Sequence, residues 1–456
     1  MADARTPTDA GSEHAEFHVT EAYRTYVVWL LFGVYVLNFL DRQILTILIQ
    51  PIKEEFKFSD TQLGLLGGLA FAFLYSTLGI PIARLADRSS RVNIISIALA
   101  VWSLFTAVTG MATSFLQLFL ARVCVGIGEA GLSPPAYSLL SDYFAPERRA
   151  RAIAIYSMGI NGGVFLGFLV GGYVAQAYGW RAAFYVVGLP GVLLSVVVRM
   201  TLREPPRGFS EPGGRPRAAE PPPIGQVFRD LWEKRSFPHL ALAAALHSFV
   251  GYGVGGFGSA FLMRTHGMSI REVGTWLAVI SALGGAFGTY LGGYLADRLS
   301  VRAGDRRYYL WVPGISTLIN VPLALLVYLL PYKYAVLGLM FPAGAIGAMY
   351  LGPTFSTTAS LAGVRERALA GAILLFVINM IGLGLGPMLT GMVSDWFKAS
   401  LAAGGMAEAQ ATAQGLRYAL CVMVCVNVWS ALHYMLGART LRADLDTASD
   451  ARTAAH

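Results

Sequence analysis

The sequence predicts an all-α membrane protein: twelve transmembrane helices in two six-helix pseudo-repeats. Three observations carry this: the composition is apolar, apolar runs of spanning length recur along the chain, and a short motif returns far downstream. Of the 456 residues, 55% are hydrophobic and 14% charged, and mean hydropathy is +0.55. A soluble domain carries about 25% charged residues. Crossing hydrocarbon takes about 17 to 25 residues of helix, and no strand-like alternation of comparable length competes. A segment in lipid must satisfy its own backbone, so the spans are helices.

Residues 1–23 are polar and lack the apolar core and small-residue cleavage site of a signal peptide. They read as a cytoplasmic N-terminal tail. Residues 24–202 form the first bundle, with spans expected at Arg24–Gln50, Thr61–Ala86, Val92–Thr113, Phe115–Phe144, Arg149–Tyr178 and Arg181–Thr201. The Pro, Gly and charge content of REPPRGFSEPGGRPRAAEPPP, Arg203–Pro223, cannot sustain a span. Residues 203–236 therefore read as a cytoplasmic linker, with Ile224–Phe237 a candidate amphipathic surface helix. Residues 237–438 form the second bundle, with spans at Phe237–Thr265, Ile270–Arg298, Arg307–Leu330, Tyr334–Leu361, Ala368–Phe397 and Gly415–Leu436; residues 439–456 are a cytoplasmic tail.

The repeat supports two halves. LADR at Leu85–Arg88 returns at Leu295–Arg298, each at the end of the second span of its half, and a similar shift pairs Asn161 with Asn379. With both termini inside, the arginines of the short loops (Arg84, Arg88, Arg91, Arg148, Arg149, Arg298, Arg365, Arg367) fall mainly on the cytoplasmic side. The net charge of +8 is thus topological, and a nucleic-acid partner is excluded. Cys124, Cys421 and Cys425 lie in apolar helices and read as small hydrophobes rather than a disulfide or metal site.

LNFLDRQIL, Leu37–Leu45, sets Asp41 and Arg42 inside the first span, and Arg122 and Glu129 lie seven residues apart on one face of the fourth. Helix rise places all four at overlapping depths. Unpaired at mid-membrane they would cost on the order of 10 kcal/mol, so they must face each other or water. One reading is a static ion-pair network. The other makes Asp41 and Glu129 proton sites, with Arg42 and Arg122 holding an anion or pairing with the emptied carboxylates. His247, Asn161 and Asn379 are further candidate substrate contacts. Pro134 and Pro135 interrupt the fourth span beside Glu129, as a fixed kink or a hinge. Asp87, Arg88, Arg91, Asp297 and Arg298 are expected to latch the cytoplasmic rim. GYGVGG, Gly251–Gly256, lies within an apolar helix and marks no dinucleotide fold. There is no P-loop, so a proton gradient rather than ATP is the expected energy source, with no cofactor or metal.

ARLADRSSR at Ala83–Arg91, RVCVGIGEAG at Arg122–Gly131 and GWRAAF at Gly179–Phe184 resemble motifs of the major facilitator superfamily, across roughly Arg24–Leu436. In GGVFLGFLVGG, Gly162–Gly172, Phe168 stands where the antiporter motif often has proline. NFLDR with GIGEAGLSPPAYSLLSDYF, Gly126–Phe144, is similar to the spinster family of lysolipid and sphingosine-phosphate transporters. The resemblance implies proton coupling at the first-helix acid and lipid phosphate at the arginines. It also implies a bacterial inner-membrane location, a monomer among membrane lipids, and transport of an amphipathic anionic lipid by alternating access, not an enzyme reaction. A proton-coupled carrier of a small organic anion is the alternative.

Overall fold

The computed structural model describes residues 18–210, 223–363 and 366–453. The first 17 residues, part of the linker, residues 364–365 (Arg365 among them) and the last three residues lie outside the described residues. Twelve helical spans follow in order: α1 (Glu21–Phe56), α2 (Asp60–Gly67 continued by Leu69–Arg88), α3 (Arg91–Thr109), α4 (Phe115–Glu129 and Ser133–Tyr143), α5 (Pro146–Tyr178) and α6 (Trp180–Thr201); then α7 (Ser236–His266), α8 (Ile270–Ala303), α9 (Tyr308–Leu329), α10 (Lys333–Ala348 and Leu351–Leu361), α11 (Arg367–Ile378 through Gly386–Ala403) and α12 (Glu408–Thr453). All twelve carry a window long and apolar enough to cross a membrane.

Local chemistry explains where the helices start. Thr20, Ser59, Ser90, Ser114 and Ser269 cap helix starts by accepting a backbone N–H, and at Ser59 the Gln62 side chain returns a capping-box bond. Several helices run past the ends that the sequence suggests. α1 takes in Pro51 and continues to Phe56, because Ile49 and Ile52 are buried on its far turn, and it stops where Lys57 turns left-handed. α12 continues through the polar C-terminal segment, where Asp444 accepts the Ser236 backbone N–H.

Four spans are interrupted partway. α2 breaks at Gly68, α4 between Glu129 and Ser133, α10 between Ala348 and Leu351, and α11 passes through a π-helical stretch, Asn379–Leu385. Pro134 and Pro135 occupy the first turn of the second α4 segment, where a missing N–H costs no helical bond. They fix the restart of the helix.

Large apolar side chains such as Trp29, Ile97, Met158, Leu193, Tyr290 and Trp429 are 53% to 70% exposed. On a water-soluble surface such a belt would be a liability; here it is the hydrocarbon contact of a multi-pass membrane protein. The surface helix Ile224–Glu233 buries Val227 and Leu231 against the second half and exposes the stacked pair Phe228 and Trp232.

The two halves meet tightly at the end of the bundle away from the chain termini. α5 crosses α8 where a Cβ added to Gly274 would lie 2.5 Å from the Phe168 carbonyl oxygen, so only glycine permits the approach. At the same end α11 rides over the start of α2, and a Cβ at Gly391 would strike the Asp60 carbonyl.

Candidate functional site

The charged centre is built by α1 and α4 with one contribution from α3. Arg42 Nε donates to Glu129 Oε2 at 2.6 Å, and Arg122 Nη1 lies 3.6 Å from Asp41 Oδ1, so each helix supplies one acid and one base to a crossed pair of ion pairs. Thr106 of α3 donates its hydroxyl to Asp41. Asp41, Arg122 and Glu129 are 2% to 3% exposed. The Arg42 guanidinium lies over the rings of Phe39, Phe71 and Tyr75 at 4.9, 5.0 and 4.6 Å. Such cation–π contacts recover part of the cost of burying the charge.

The network is incompletely satisfied. Arg122 Nε and Nη1, Asp41 Oδ1 and Glu129 Oε1 are buried without a hydrogen bond. A buried ion pair is favourable only with good geometry and its remaining donors and acceptors occupied. The Asp41–Arg122 pair therefore holds its arginine loosely and leaves donors for another anion.

Beside these charges lies a cavity of about 550 Å³ between the halves. Arg42 and Arg122 line it, whereas Asp41 and Glu129 stand behind them, off its wall. Most of the lining is apolar, including Phe39, Leu45, Phe71, Phe168, Leu277 and Met340. The second half contributes no charge to the wall: its polar groups are His247, Ser248, Tyr252, Ser281, Asn320, Tyr328, Tyr350 and Asn427. His247 uses both ring nitrogens, one with the Gly347 carbonyl at 2.7 Å and one with Thr317 at 3.1 Å.

The remaining candidates lie elsewhere. Asn161 is half-buried on α5 and Asn379 is buried at the start of the π-helical stretch; neither lines the cavity. Arg91 is fully buried and bonds Asp142, Glu204, Ser138 and the Pro205 carbonyl, tying α3 to α4 and to the chain after α6. Asp297 accepts from Tyr309, and Arg298 donates to Tyr294. Arg88 is exposed, and the Asp87 side chain lies outside the described part of the structure. In this state Arg91 bonds within the first half and the chain that follows it, and Asp297 and Arg298 bond within the second half.

Sequence reading passed over a second charged cluster, at the closed end. Asp60 is 1% exposed and accepts from Arg264 (2.8 and 2.9 Å), Lys53 (2.5 Å) and Ser394 (2.6 Å). Arg264 also donates to Gln50, and Asp395 accepts from the Asp60 and Thr61 backbone N–H groups and the Thr61 hydroxyl. Lys53 and Asp60 belong to the first half; Arg264, Ser394 and Asp395 belong to the second. The signal available was an acid at a span's first residue, which resembles an ordinary N-terminal charge.

Comparison with known proteins agrees with this architecture. The Major Facilitator Superfamily profile matches residues 31–387. A solved bacterial homologue of the human lysosomal transporter Spinster, in an inward-facing and unoccupied conformation, is 37% identical, with a TM-score of 0.85 over 93% of this chain and 99% of that one. An MFS-type efflux pump of Mycolicibacterium smegmatis is 33% identical over 95% of this chain and 97% of its own length. A cis,cis-muconate transport protein of Acinetobacter baylyi is 26% identical over 84% and 89%. The chain belongs to the Major Facilitator Superfamily, as a transporter of the spinster type.

Proposed function

We propose that this transporter carries an amphipathic anionic lipid, such as a lysophospholipid or a sphingosine-phosphate-like molecule, coupled to protons by alternating access. The observation that carries the reading is the division of labour at the central site. Two arginines line an apolar cavity, and their carboxylate partners stand behind them. An anion at the cavity wall competes with Asp41 and Glu129 for the same guanidinium groups. When an arginine turns to the anion, its carboxylate is left buried and unpaired, and a proton neutralises it. The apolar lining supplies the chemistry that an acyl chain needs.

In this reading Asp41 and Glu129 are the proton sites, Arg42 and Arg122 bind the head group, and Pro134 and Pro135 set the hinge of α4. The arginine-rich loops favour a bacterial inner membrane with both termini cytoplasmic. The end joined by Asp60 and Arg264 is then the outer end, and the structure faces inward. The cytoplasmic latch of Asp87, Arg88, Arg91, Asp297 and Arg298 would form only in the outward-facing state, when the opposite end opens.

A carrier of a small organic anion is the second reading, favoured by the muconate transport protein among the relatives and by arginines that suit a carboxylate equally well. Proteoliposomes of purified protein, under an inward pH gradient, separate the two. Lysolipid-driven proton uptake that Asp41→Asn and Glu129→Gln abolish supports the lipid reading. Uptake driven by a dicarboxylate and not by any lysolipid overturns it, and uptake unchanged in both variants removes the acids from the coupling mechanism.

A further inference from the structure

We infer that the second half holds a distinct polar subsite, formed by Asn320 and Asn427, that accepts a hydrogen bond from a hydroxyl or ammonium group of the substrate. This rests on the reading of an anionic substrate held by Arg42 and Arg122. Asn320 of α9 is 8% exposed and Asn427 of α12 is 3% exposed; both line the cavity. The Oδ1 atom of each is buried without a hydrogen-bond partner.

A buried amide oxygen without a donor is costly, and native folds rarely leave one. Here two residues that carry such atoms, on two different helices, line the same cavity. Of the neighbouring polar groups, His247 is engaged through both nitrogens, and Ser248 with the Tyr350 hydroxyl at 2.9 Å. Among the described residues of this wall, the two amide oxygens are the buried acceptors without a partner. They carry no charge, whereas the opposite wall carries two guanidinium groups.

The cavity therefore has one cationic wall and one wall of neutral acceptors, joined by apolar surface. That pattern fits an amphipathic anion which also bears an N–H or O–H donor near its anionic group, and it disfavours a plain alkyl anion. A site whose buried acceptors are met by the right ligand discriminates against an analogue lacking the donor, because the acceptors are then left unpaired.

The test uses ligands matched in chain and phosphate: 1-O-oleyl-glycerol 3-phosphate, its 2-deoxy analogue, its 2-O-methyl ether and its 2-amino analogue, titrated onto the full-length protein in nanodiscs. The wild type should bind the hydroxyl or the amino compound about tenfold or more tightly than the deoxy and methyl-ether compounds. Asn320→Leu and Asn427→Leu should erode that preference, bringing the affinities for the hydroxyl and deoxy compounds together as the unpaired acceptors are removed. Arg42→Gln should weaken all four together and keep the ratio. Equal wild-type affinity for all four, or a preference that survives both leucine variants, overturns the subsite and leaves the anion reading intact. No binding of any of the four overturns both. The wild-type series alone decides the matter should a variant fail to fold.

Discussion

Replacing Asp60 with asparagine should open the closed end of the transporter. The Asp60 carboxylate receives four hydrogen bonds from Arg264, Lys53 and Ser394, at 1% exposure, and two of those partners sit across the junction between the halves. Asp60→Asn keeps the shape and removes the charge, leaving Arg264 and Lys53 buried beside a neutral amide. Taking one partner from a buried ion pair costs about 3 to 5 kcal/mol. That cost falls on the closed arrangement alone, because parting the halves returns both cations to water. At about 1.4 kcal/mol per tenfold, the equilibrium moves by at least about 100-fold, and a swing from 99:1 to 1:99 takes about 5.5 kcal/mol. Spin labels at Lys57→Cys and Ala402→Cys, with Cys124, Cys421 and Cys425 replaced by alanine, report the span of this end by pulsed dipolar spectroscopy. A single short distance should give way to a broad, longer population in Asp60→Asn. Glu54→Gln, an exposed change at the same end, should leave it short. An unchanged distribution in folded Asp60→Asn would refute the latch.

Gly274→Leu forces a side chain into the Phe168 carbonyl, 2.5 Å from the added Cβ, so it should hold the same two labels apart and stop transport while the protein stays folded. Arg91→Gln strips a fully buried cation from Asp142 and Glu204 and should lower stability by about 3 to 5 kcal/mol, read as a thermal shift in detergent. Arg24→Gln, which breaks a partly exposed pair with Glu21, should cost less than about 1 kcal/mol. Arg42→Lys keeps the charge but loses the planar group that lies over three rings and donates to Glu129, so transport should fall about tenfold or more.

The spans and their number could be read in the sequence because a membrane helix must be long, apolar and self-satisfied, and those demands are local. Asp41, Arg42, Arg122 and Glu129 stood out for the same reason: a charge within an apolar run is expensive enough to need a cause. Which acid meets which base was not legible. The crossed pairing, and the support of Asp41 by Thr106, depend on how α1, α3 and α4 rotate against one another. Asn320 and Asn427 were invisible because a lone asparagine in an apolar helix carries no periodic signal, and Asp60 was hidden by its resemblance to a helix-start acid. The π-helical stretch in α11 follows from packing, where Gly382 lies against Ser248. Its sequence, NMIGLGL, looked only like a small-residue stripe.

On the proposed reading, the crossed ion pairs also fix the sign of coupling. There Arg42 and Arg122 would be shared between the acids behind them and an anion entering the cavity, so that anion and carboxylate compete for the same guanidinium groups. Anion binding that draws an arginine forward leaves a buried carboxylate whose cheapest relief is a proton, and by linkage a proton on Asp41 or Glu129 must raise anion affinity by the same factor. Coupling of this kind is worth about 1 to 3 kcal/mol, or about 5- to 150-fold in affinity. Adding the anion to weakly buffered, purified protein should therefore make the medium more alkaline, by up to two protons per molecule bound if both acids respond. Glu129→Gln and Asp41→Asn should each reduce that uptake, and anion affinity should fall as pH rises in the wild type but become flatter in the variants. Acidification on binding, or no change at all, would mean that the arginines release no carboxylate when they take the anion, and the acids would then belong to the scaffold of α1 and α4.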